Sequence, residues 1–225
     1  CVTNEMIKEI FGDDVRMNAT FEKDTCPTRE ECLIEIYKRL RPGDPPTVDS
    51  AETLLNGLFY DHRRYDISNV GRYKFNKKLA IAPRISGHKL AQPVADPDTG
   101  EIIAEAGEVL TRERADEIQR ANVTDVMLDV EGKLIRVFTN GMVDLAKYVD
   151  FDPAELGIKE RVRGIILRPL LEQYSGEELK EQIREHLDVL LPKHVILDDI
   201  FASVNYLNCL ANGVGEPDDI DHLGN

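Results

Sequence analysis

The sequence predicts an α+β fold in which mostly helical segments at the two ends enclose a smaller mixed domain. Apolar residues recur at helical spacing before residue 79 and after residue 190. Between these segments, short apolar runs alternate with turn-forming residues, as they do in β-hairpins. A chain of 225 residues is long enough for one large domain or two small ones. We therefore divide it into residues 1–79, 80–189 and 190–225.

The first segment predicts two helices joined by a proline-rich turn. Thr28 and Glu31 form a capping box, in which a hydroxyl and a carboxylate satisfy N–H groups at a helix start. The run Arg41–Pro46 ends this helix, because proline cannot continue it. A second helix is expected to begin near Thr47 and to carry one apolar face, formed by Ala51, Leu54, Leu55, Leu58 and Phe59.

The middle segment predicts two β-hairpins. Pro97–Gly100 is a turn between two apolar runs. Glu131 and Gly132 separate the apolar runs 123–130 and 133–138, which is typical of a tight hairpin.

Further along the middle segment, Thr111 is expected to cap a short helix and Asp152 to cap another helix, with Pro153 at its first position. Residues 161–168 predict another strand, and Ser175 with Glu178 predicts a second capping box. The segment 80–189 is thus expected to be a compact α+β unit that folds alone.

The last segment predicts one long helix. It opens at Pro192 and is expected to end near Gly213, since glycine favours the helix C-terminus. The apolar residues that we expect to face inward are Val195, Ile196, Ile200, Val204 and Leu207.

Charge is distributed unevenly along the chain. The net charge is −14, yet residues 1–80 hold 13 basic and 14 acidic side chains, whereas residues 81–225 hold 15 and 28. Such asymmetry suggests parts with different partners. No apolar run approaches the ~20 residues of a membrane span, and no basic-then-apolar signal pattern opens the sequence. The four cysteines lack metal-site spacing, so we expect reduced thiols of a cytoplasmic protein.

Three blocks carry a family resemblance: Arg41–Thr47, preceded by Glu35-Ile36-Tyr37; Arg64–Asn76 (RYDISNVGRYKFN); and Asp218–Asn225 (DDIDHLGN). In this order they resemble the β subunit of bacterial DNA-directed RNA polymerase, within its lobe, or second, domain. The resemblance covers about residues 25–79 and 190–225. Because the chain opens on Cys1 and closes inside the third block, we expect a piece of a larger subunit.

The resemblance implies that residues 1–79 and 190–225 are the two parts of a lobe fragment. It implies that residues 80–189 are a lineage-specific insert, whose run from Gly87 to Thr111 is similar to a β-β′ module of the sandwich–barrel hybrid kind. The implied partners are the other polymerase subunits (β′, α, ω and σ), DNA, and an unknown protein for the insert, with no membrane. The implied location is cytoplasmic and nucleoid-associated.

The resemblance places polymerase chemistry elsewhere. The family's catalytic aspartates, which bind Mg²⁺, belong to the β′ subunit, so we expect no catalytic residue, metal or cofactor in this fragment. The residues alone allow two interpretations of Asp218, Asp219 and Asp221: a metal cluster, or an acidic turn that caps the next element. The resemblance adds a third, in which Ile220 and Asp221 border a pocket for an unpaired non-template guanine, whose N–H groups suit a carboxylate.

A basic segment at residues 63–78 interleaves cationic and aromatic side chains, which fits a platform for single-stranded nucleic acid. The residues that we expect to contact phosphate are Arg72, Lys74, Lys77 and Lys78. The competing interpretation is structural: Tyr65 and Phe75 fill a core, and Asp66 pairs with Arg72 to hold a turn.

Two further hypotheses remain at this stage. In the first, the chain is a protein–protein interaction module with no nucleic-acid role. In the second, it is an unrelated small enzyme. Intact basal transcription after deletion of residues 82–189 would mark the insert as accessory, and activity of the chain alone on a nucleotide substrate would revive the second hypothesis.

Overall fold

The computed structural model describes residues 3–61 and 63–216. Helices predominate in this part of the chain, and three small antiparallel sheets accompany them. The α+β class expected from the sequence is therefore confirmed. The chain divides into two compact units, Cys1–Asp66 and Ile67–Asn225.

The first unit is helical in its described residues. Its helices are α1 (Asn4–Phe11), α2 (Val15–Lys23), α3 (Arg29–Leu40) and α4 (Val48–Phe59). Thr28 caps α3, since its hydroxyl oxygen accepts from the Glu31 N–H at 3.3 Å. Thr47 and Ser50 form a full capping box at the start of α4, with bonds of 3.2 and 3.1 Å. Both predicted helix starts are thus found.

The second unit contains the remaining helices and all the described strands. The helices are α5 (Ser68–Lys78), α6 (Ala82–Ile85), α7 (Arg112–Arg120), α8 (Gly164–Gln173), α9 (Gly176–Glu185), α10 (Leu187–Leu190) and α11 (Leu197–Ala211). The strands are β1 (Lys89–Leu90), β2 (Val94–Ala95), β3 (Ile102–Ala104), β4 (Asp125–Val130), β5 (Lys133–Phe138), β6 (Met142–Val143) and β7 (Val162–Arg163). Short 3-10 turns at Leu145–Lys147 and Pro153–Leu156 complete it.

The largest sheet has the strand order β1-β4-β5. The β4–β5 hairpin pairs Val130 with Lys133, and its two turn residues have positive φ angles, 53° at Glu131 and 84° at Gly132. Both angles suit the tight turn that the sequence predicts there. Strands β2 and β3 form the other predicted hairpin.

Helix α11 completes the edge of the β1-β4-β5 sheet with one side chain. The Asn205 amide oxygen accepts from the Phe138 N–H at 3.1 Å, and its NH₂ group donates to the Arg136 carbonyl at 2.8 Å. An unpaired strand edge would otherwise leave these backbone groups without partners. Helix α11 is therefore bonded to the β4–β5 hairpin of the middle segment.

The cores also join the middle segment to the last helix. The largest cluster, which we call the main core, contains the buried apolar residues of α6, α7 and the β1-β4-β5 sheet (the main sheet) together with Cys209 and Val214. A second cluster lies among β7, α8, α9 and α10. A small third cluster packs Leu79 against Ala202 and Tyr206 of α11.

Four local predictions are wrong. The last predicted helix begins at Leu197 and not at Pro192. Residues 161–168 form only the short β7, and helix α8 begins at Gly164, where an added Cβ would lie 3.0 Å from a Val143 methyl group. Ser175 precedes α9 but makes no side-chain capping bond. Helix α11 turns Ile200, Val204 and Leu207 outward, with exposures of 41–62%.

The inner face of α11 is mainly small or polar: Asp199, Ala202, Asn205, Tyr206 and Cys209. The apolar spacing of the sequence therefore marks the exposed face of this helix. The buried face is held by hydrogen bonds that residue type alone does not reveal.

Candidate nucleic-acid interface

Helix α5 carries the four basic residues that the sequence singles out in this unit. The Ile67 N–H just before it donates to the Lys193 carbonyl at 2.9 Å. At Gly71 an added Cβ would lie 2.9 Å from Cβ of Ile67, a distance that would force one of them to move. The glycine inside the RYDISNVGRYKFN block thus permits the first turn of α5 to close tightly.

Arg72 is buried, contrary to the prediction that it contacts phosphate. Its side chain is only 3% exposed, and Nη1 donates to both Asp199 carboxylate oxygens at 2.9 Å. Nη2 donates to the carbonyls of Pro192 and His194, at 3.1 and 2.8 Å. Because all these donors are occupied inside the unit, none is presented to a nucleic acid. Its carboxylate partner inside the unit is Asp199.

Asp199 is the centre of a buried polar network. Its carboxylate also accepts from the Asn140 amide at 2.8 Å and from the Ile196 N–H at 3.0 Å. Asn140 in turn donates to the Asn76 side-chain oxygen at 3.2 Å. This network fixes α5 against α11 and so determines which face of α5 remains exposed.

The other three predicted basic residues come together at a pocket. Lys74, Lys77 and Lys78 line a cavity of about 320 Å³. The remaining lining residues are Tyr73, Pro83, Arg84, Tyr206, Gly215 and Glu216. Lys74 and Lys77 are exposed and Lys78 is half-buried. We call this cavity the lysine pocket.

Aromatic rings form part of the lysine pocket. The Lys77 ammonium lies 6.0 Å from the centre of the Tyr73 ring, and the Lys78 ammonium lies 5.0 Å from that of Tyr206. Such contacts are weakly attractive, of the order of 1 kcal/mol at exposed sites. Within residues 3–61 and 63–216, Lys74 and Lys77 have no carboxylate partner. Their positive charge is therefore available to an anion.

Arg84 lines the lysine pocket, yet its guanidinium is turned to internal acceptors. It donates to the carbonyls of Leu79 and Phe138 at 2.7 and 2.9 Å, and to the Asn205 side chain at 3.2 Å. Burial lowers the pKa of Arg84 from its usual value, partly offset by Cys209 and Tyr206. Arg84 thus serves as a rigid wall that joins α6, β5 and α11.

Sequence reasoning missed Tyr206 and Arg84 as pocket residues. Tyr206 lies on the helix face opposite to the apolar stripe, and Arg84 lies outside the basic segment, so neither gave a local signal. Ile220 and Asp221 lie outside the described residues. Tyr65 and Asp66 belong to the first unit, and Phe75 is half-buried beside a small core.

Residues 3–61 and 63–216 contain neither a metal-binding group nor a membrane-spanning helix. No group of three or more His, Cys, Asp or Glu side chains that suits a metal ion occurs among them. None of their helices combines the length and the apolar character that crossing a membrane requires.

A family model matches most of the chain. The model described as RNA polymerase Rpb2, domain 2 matches residues 11–94 and 157–225. It leaves residues 95–156 unmatched, within the segment that the sequence suggested as an insert.

Curated relatives match nearly the whole chain, including residues 95–156. The chain is 52% identical over 226 residues to the DNA-directed RNA polymerase subunit beta of Acetivibrio thermocellus, covering 99% of this chain and 18% of that protein. It is 51% identical to the subunits of the same name from Clostridium acetobutylicum and Clostridium novyi, over 97% of this chain and 18% of each relative. The chain thus spans less than a fifth of the length of these relatives.

Proposed function

Since the chain belongs to the RNA polymerase Rpb2, domain 2 family, we propose that it acts as part of the β subunit of a bacterial DNA-directed RNA polymerase. Its own contribution is to hold DNA during transcription, downstream of the site of synthesis or on the non-template strand, rather than to perform chemistry. The observation that carries this proposal is the lysine pocket, where Lys74, Lys77 and Lys78 present cationic groups beside Tyr73.

Electrostatics favours DNA as the anion for this pocket. Each lysine that neutralises a phosphate releases counterions, which supplies most of the affinity in sequence-independent binding. The rest of the unit is strongly acidic, so a nucleic acid would be repelled elsewhere and guided to the pocket. Aromatic rings beside such cations suit unpaired bases, which stack on them regardless of sequence.

The wider polymerase supplies the remaining functions in this proposal. Mg²⁺ and the catalytic carboxylates belong to another subunit, and β′, α, ω and σ are the protein partners. The assembly works in the cytoplasm on the nucleoid. The family membership and the names of the relatives support this placement.

The guanine pocket proposed for Ile220 and Asp221 forms a separate part of the DNA interface. The support is the DDIDHLGN block and the ability of a carboxylate to accept from the Watson–Crick edge of guanine. We expect Asp221→Ala in the whole polymerase to change pausing or start-site choice at non-template guanines. If the variant and the wild-type polymerase pause and choose start sites alike, both at guanine and at other bases, this role is contradicted.

The lysine pocket can be tested by photo-crosslinking in the whole polymerase. A photoreactive amino acid at position 74 or 77 is expected to crosslink to DNA in a transcription complex. The same group at Lys133 or Lys159, which are also exposed lysines of this unit, serves as the control and is expected to crosslink less. Equal yields at the four positions would contradict a DNA contact at the pocket.

The insert has a second candidate function as an accessory docking or stabilising module, with a sandwich–barrel hybrid fold. Residues 95–156, which the family model leaves unmatched, hold 15 acidic and 6 basic side chains. This excess of carboxylates is poorly suited to DNA and suits a basic protein surface. The boundaries 80 and 189 are likewise a proposal.

Deletion of the whole proposed insert would also remove residues that hold helix α11. A deletion of 82–189 removes Arg84 and Asn140, which bond to Asn205 and Asp199 of α11. A trimmed deletion of 96–121 keeps both residues and is the better test of an accessory role, but it removes β3 and α7 of the main core, so assembly of the enzyme has to be checked. We expect the polymerase with this deletion to retain basal transcription, and loss of basal transcription by a correctly assembled enzyme would contradict it.

A further inference from the structure

Two cysteines of the first unit are placed on either side of a helix start. Thr28 is the N-cap of α3, so Cys26 lies two residues before the cap and Cys32 lies in the first turn. The Cys32 thiol donates to the Cys26 carbonyl oxygen at 3.3 Å. This bond joins the backbone that precedes the cap to the first turn of α3.

Both residues are partly exposed. Cys26 and Cys32 are half-buried free cysteines of the first unit, whereas Cys209 is fully buried in the second unit. The Cys26 sulfur lies 3.9 Å from the Thr25 hydroxyl oxygen. A small oxidant can therefore reach this pair but cannot reach Cys209.

The surroundings of Cys32 disfavour its thiolate form. Burial raises the pKa of Cys32, and the neighbouring Cys26 thiol and the Asp24 carboxylate act in the same direction. The thiolate is the nucleophile in thiol oxidation. Cys32 is therefore poorly suited to make the first attack on an oxidant.

We propose that Cys26 and Cys32 are a redox-active pair that forms a reversible disulfide across the start of α3. With a peroxide, the Cys26 thiolate attacks one oxygen and gives a sulfenic acid, while the other oxygen leaves and takes up a proton as water. The Cys32 thiolate then attacks the sulfenic sulfur and releases a second water. The two thiols lose two electrons and two protons, and the peroxide is reduced.

Glutathione disulfide performs the same two-electron oxidation by thiol exchange and releases two glutathione thiols. A disulfide requires Cβ atoms about 3.5 to 4.5 Å apart. Because the Cys32 sulfur already contacts the Cys26 backbone, we expect side-chain rotation to bring the sulfurs together. The bond would then tie residues 24–28 to α3.

Tryptic cleavage provides a direct test, because Arg29 lies between the two cysteines. The 225-residue chain is equilibrated at low micromolar concentration with reduced and oxidised glutathione, and in a parallel series with hydrogen peroxide. Free thiols are blocked with N-ethylmaleimide, and the chain is digested without reduction. We expect mass spectrometry to find the peptides Asp24–Arg29 and Glu30–Lys38 joined, in a fraction that rises with oxidant and is reversed by dithiothreitol.

Matched variants and the concentration dependence distinguish this result from nonspecific oxidation. Cys26→Ser is expected to abolish the joined peptides and to leave Cys32 blocked by maleimide, with an unchanged circular dichroism spectrum. The joined fraction is expected not to depend on protein concentration. The proposal is overturned if the two thiols are blocked or glutathionylated separately at every ratio, or if the disulfides join different chains.

Discussion

Arg72 and Lys74 show how neighbouring basic residues acquire different roles. They occur in one basic segment and give the same signal in the sequence. In the structure, Arg72 is bonded inside the unit to Asp199, while Lys74 is exposed at the lysine pocket. The difference depends on the face of α5 that each residue occupies, and that face is set by Asp199, which is 127 residues further along the chain. No local pattern contains this information.

Replacement of Arg72 tests its structural role. Arg72→Ala leaves the buried Asp199 carboxylate without its main partner, which typically costs about 3 to 5 kcal/mol. We expect this loss in the free energy of unfolding of the 225-residue chain, measured by urea denaturation with circular dichroism. The exposed Arg120→Ala is the control and should change stability by less than about 0.5 kcal/mol. A similar effect of both variants would contradict the burial of the Arg72 pair.

Asp96 predicts a specific acid sensitivity. Burial alone would raise its pKa, yet N–H groups of Asp98 and Thr99 and the Lys147 ammonium together hold the pKa of Asp96 below its usual value. A carboxyl group with a lowered folded-state pKa stabilises the protein above its unfolded-state pKa of about 3.9, and this stabilisation is lost as the pH falls through the folded-state value.

We therefore expect wild-type stability to fall more steeply than that of Asp96→Asn as the pH is lowered from about 5 to about 3. The exposed Asp150→Asn is the control and should follow the wild type. Parallel curves for all three proteins would show that Asp96 titrates as an ordinary carboxyl group.

Helix α11 illustrates the limit of apolar periodicity at the scale of an element. The sequence correctly predicts a helix here, but it assigns Ile200, Val204 and Leu207 to the wrong face. Periodicity identifies a stripe and does not say what covers it. The face that is buried is selected by Asn205, which bonds to β5, and by Asp199, which bonds to Arg72.

Substitutions on the two faces of α11 test this orientation. Ala202 is fully buried, so Ala202→Leu is expected to overpack the core and to cost about 1 to 3 kcal/mol. Leu207 is 62% exposed, so Leu207→Gln is expected to cost less than about 0.5 kcal/mol. Urea denaturation of the 225-residue chain measures both values, and the reverse order would contradict the orientation described.

At the scale of the whole molecule, the segments of the sequence and the cores of the structure do not coincide. Sequence reasoning found the α+β class, both hairpins and the starts of α3, α4 and α7, because capping and turn residues act locally. It expected residues 80–189 to fold alone. The main core instead includes Cys209 and Val214, and the main sheet is completed by Asn205. These contacts lie far apart in sequence and so leave no periodic signal.

Two fragments test this continuity of the core. A fragment of residues 67–216 retains α11 and is expected to unfold cooperatively in urea. A fragment of residues 80–189 lacks Asn205, Cys209 and Val214, so we expect it to be less stable or to lack a cooperative transition. Equal stability of the two fragments would show that the middle segment folds independently.

The salt dependence of DNA binding by the whole polymerase tests the role of the lysine pocket most directly. Each phosphate contact contributes about 0.9 to the slope of log K against log salt concentration. Lys74→Gln combined with Lys77→Gln should therefore reduce the slope by between about 1 and about 2. Lys133→Gln combined with Lys159→Gln removes the same charge and should leave the slope unchanged. Identical slopes for the two double variants would contradict a DNA contact at the pocket.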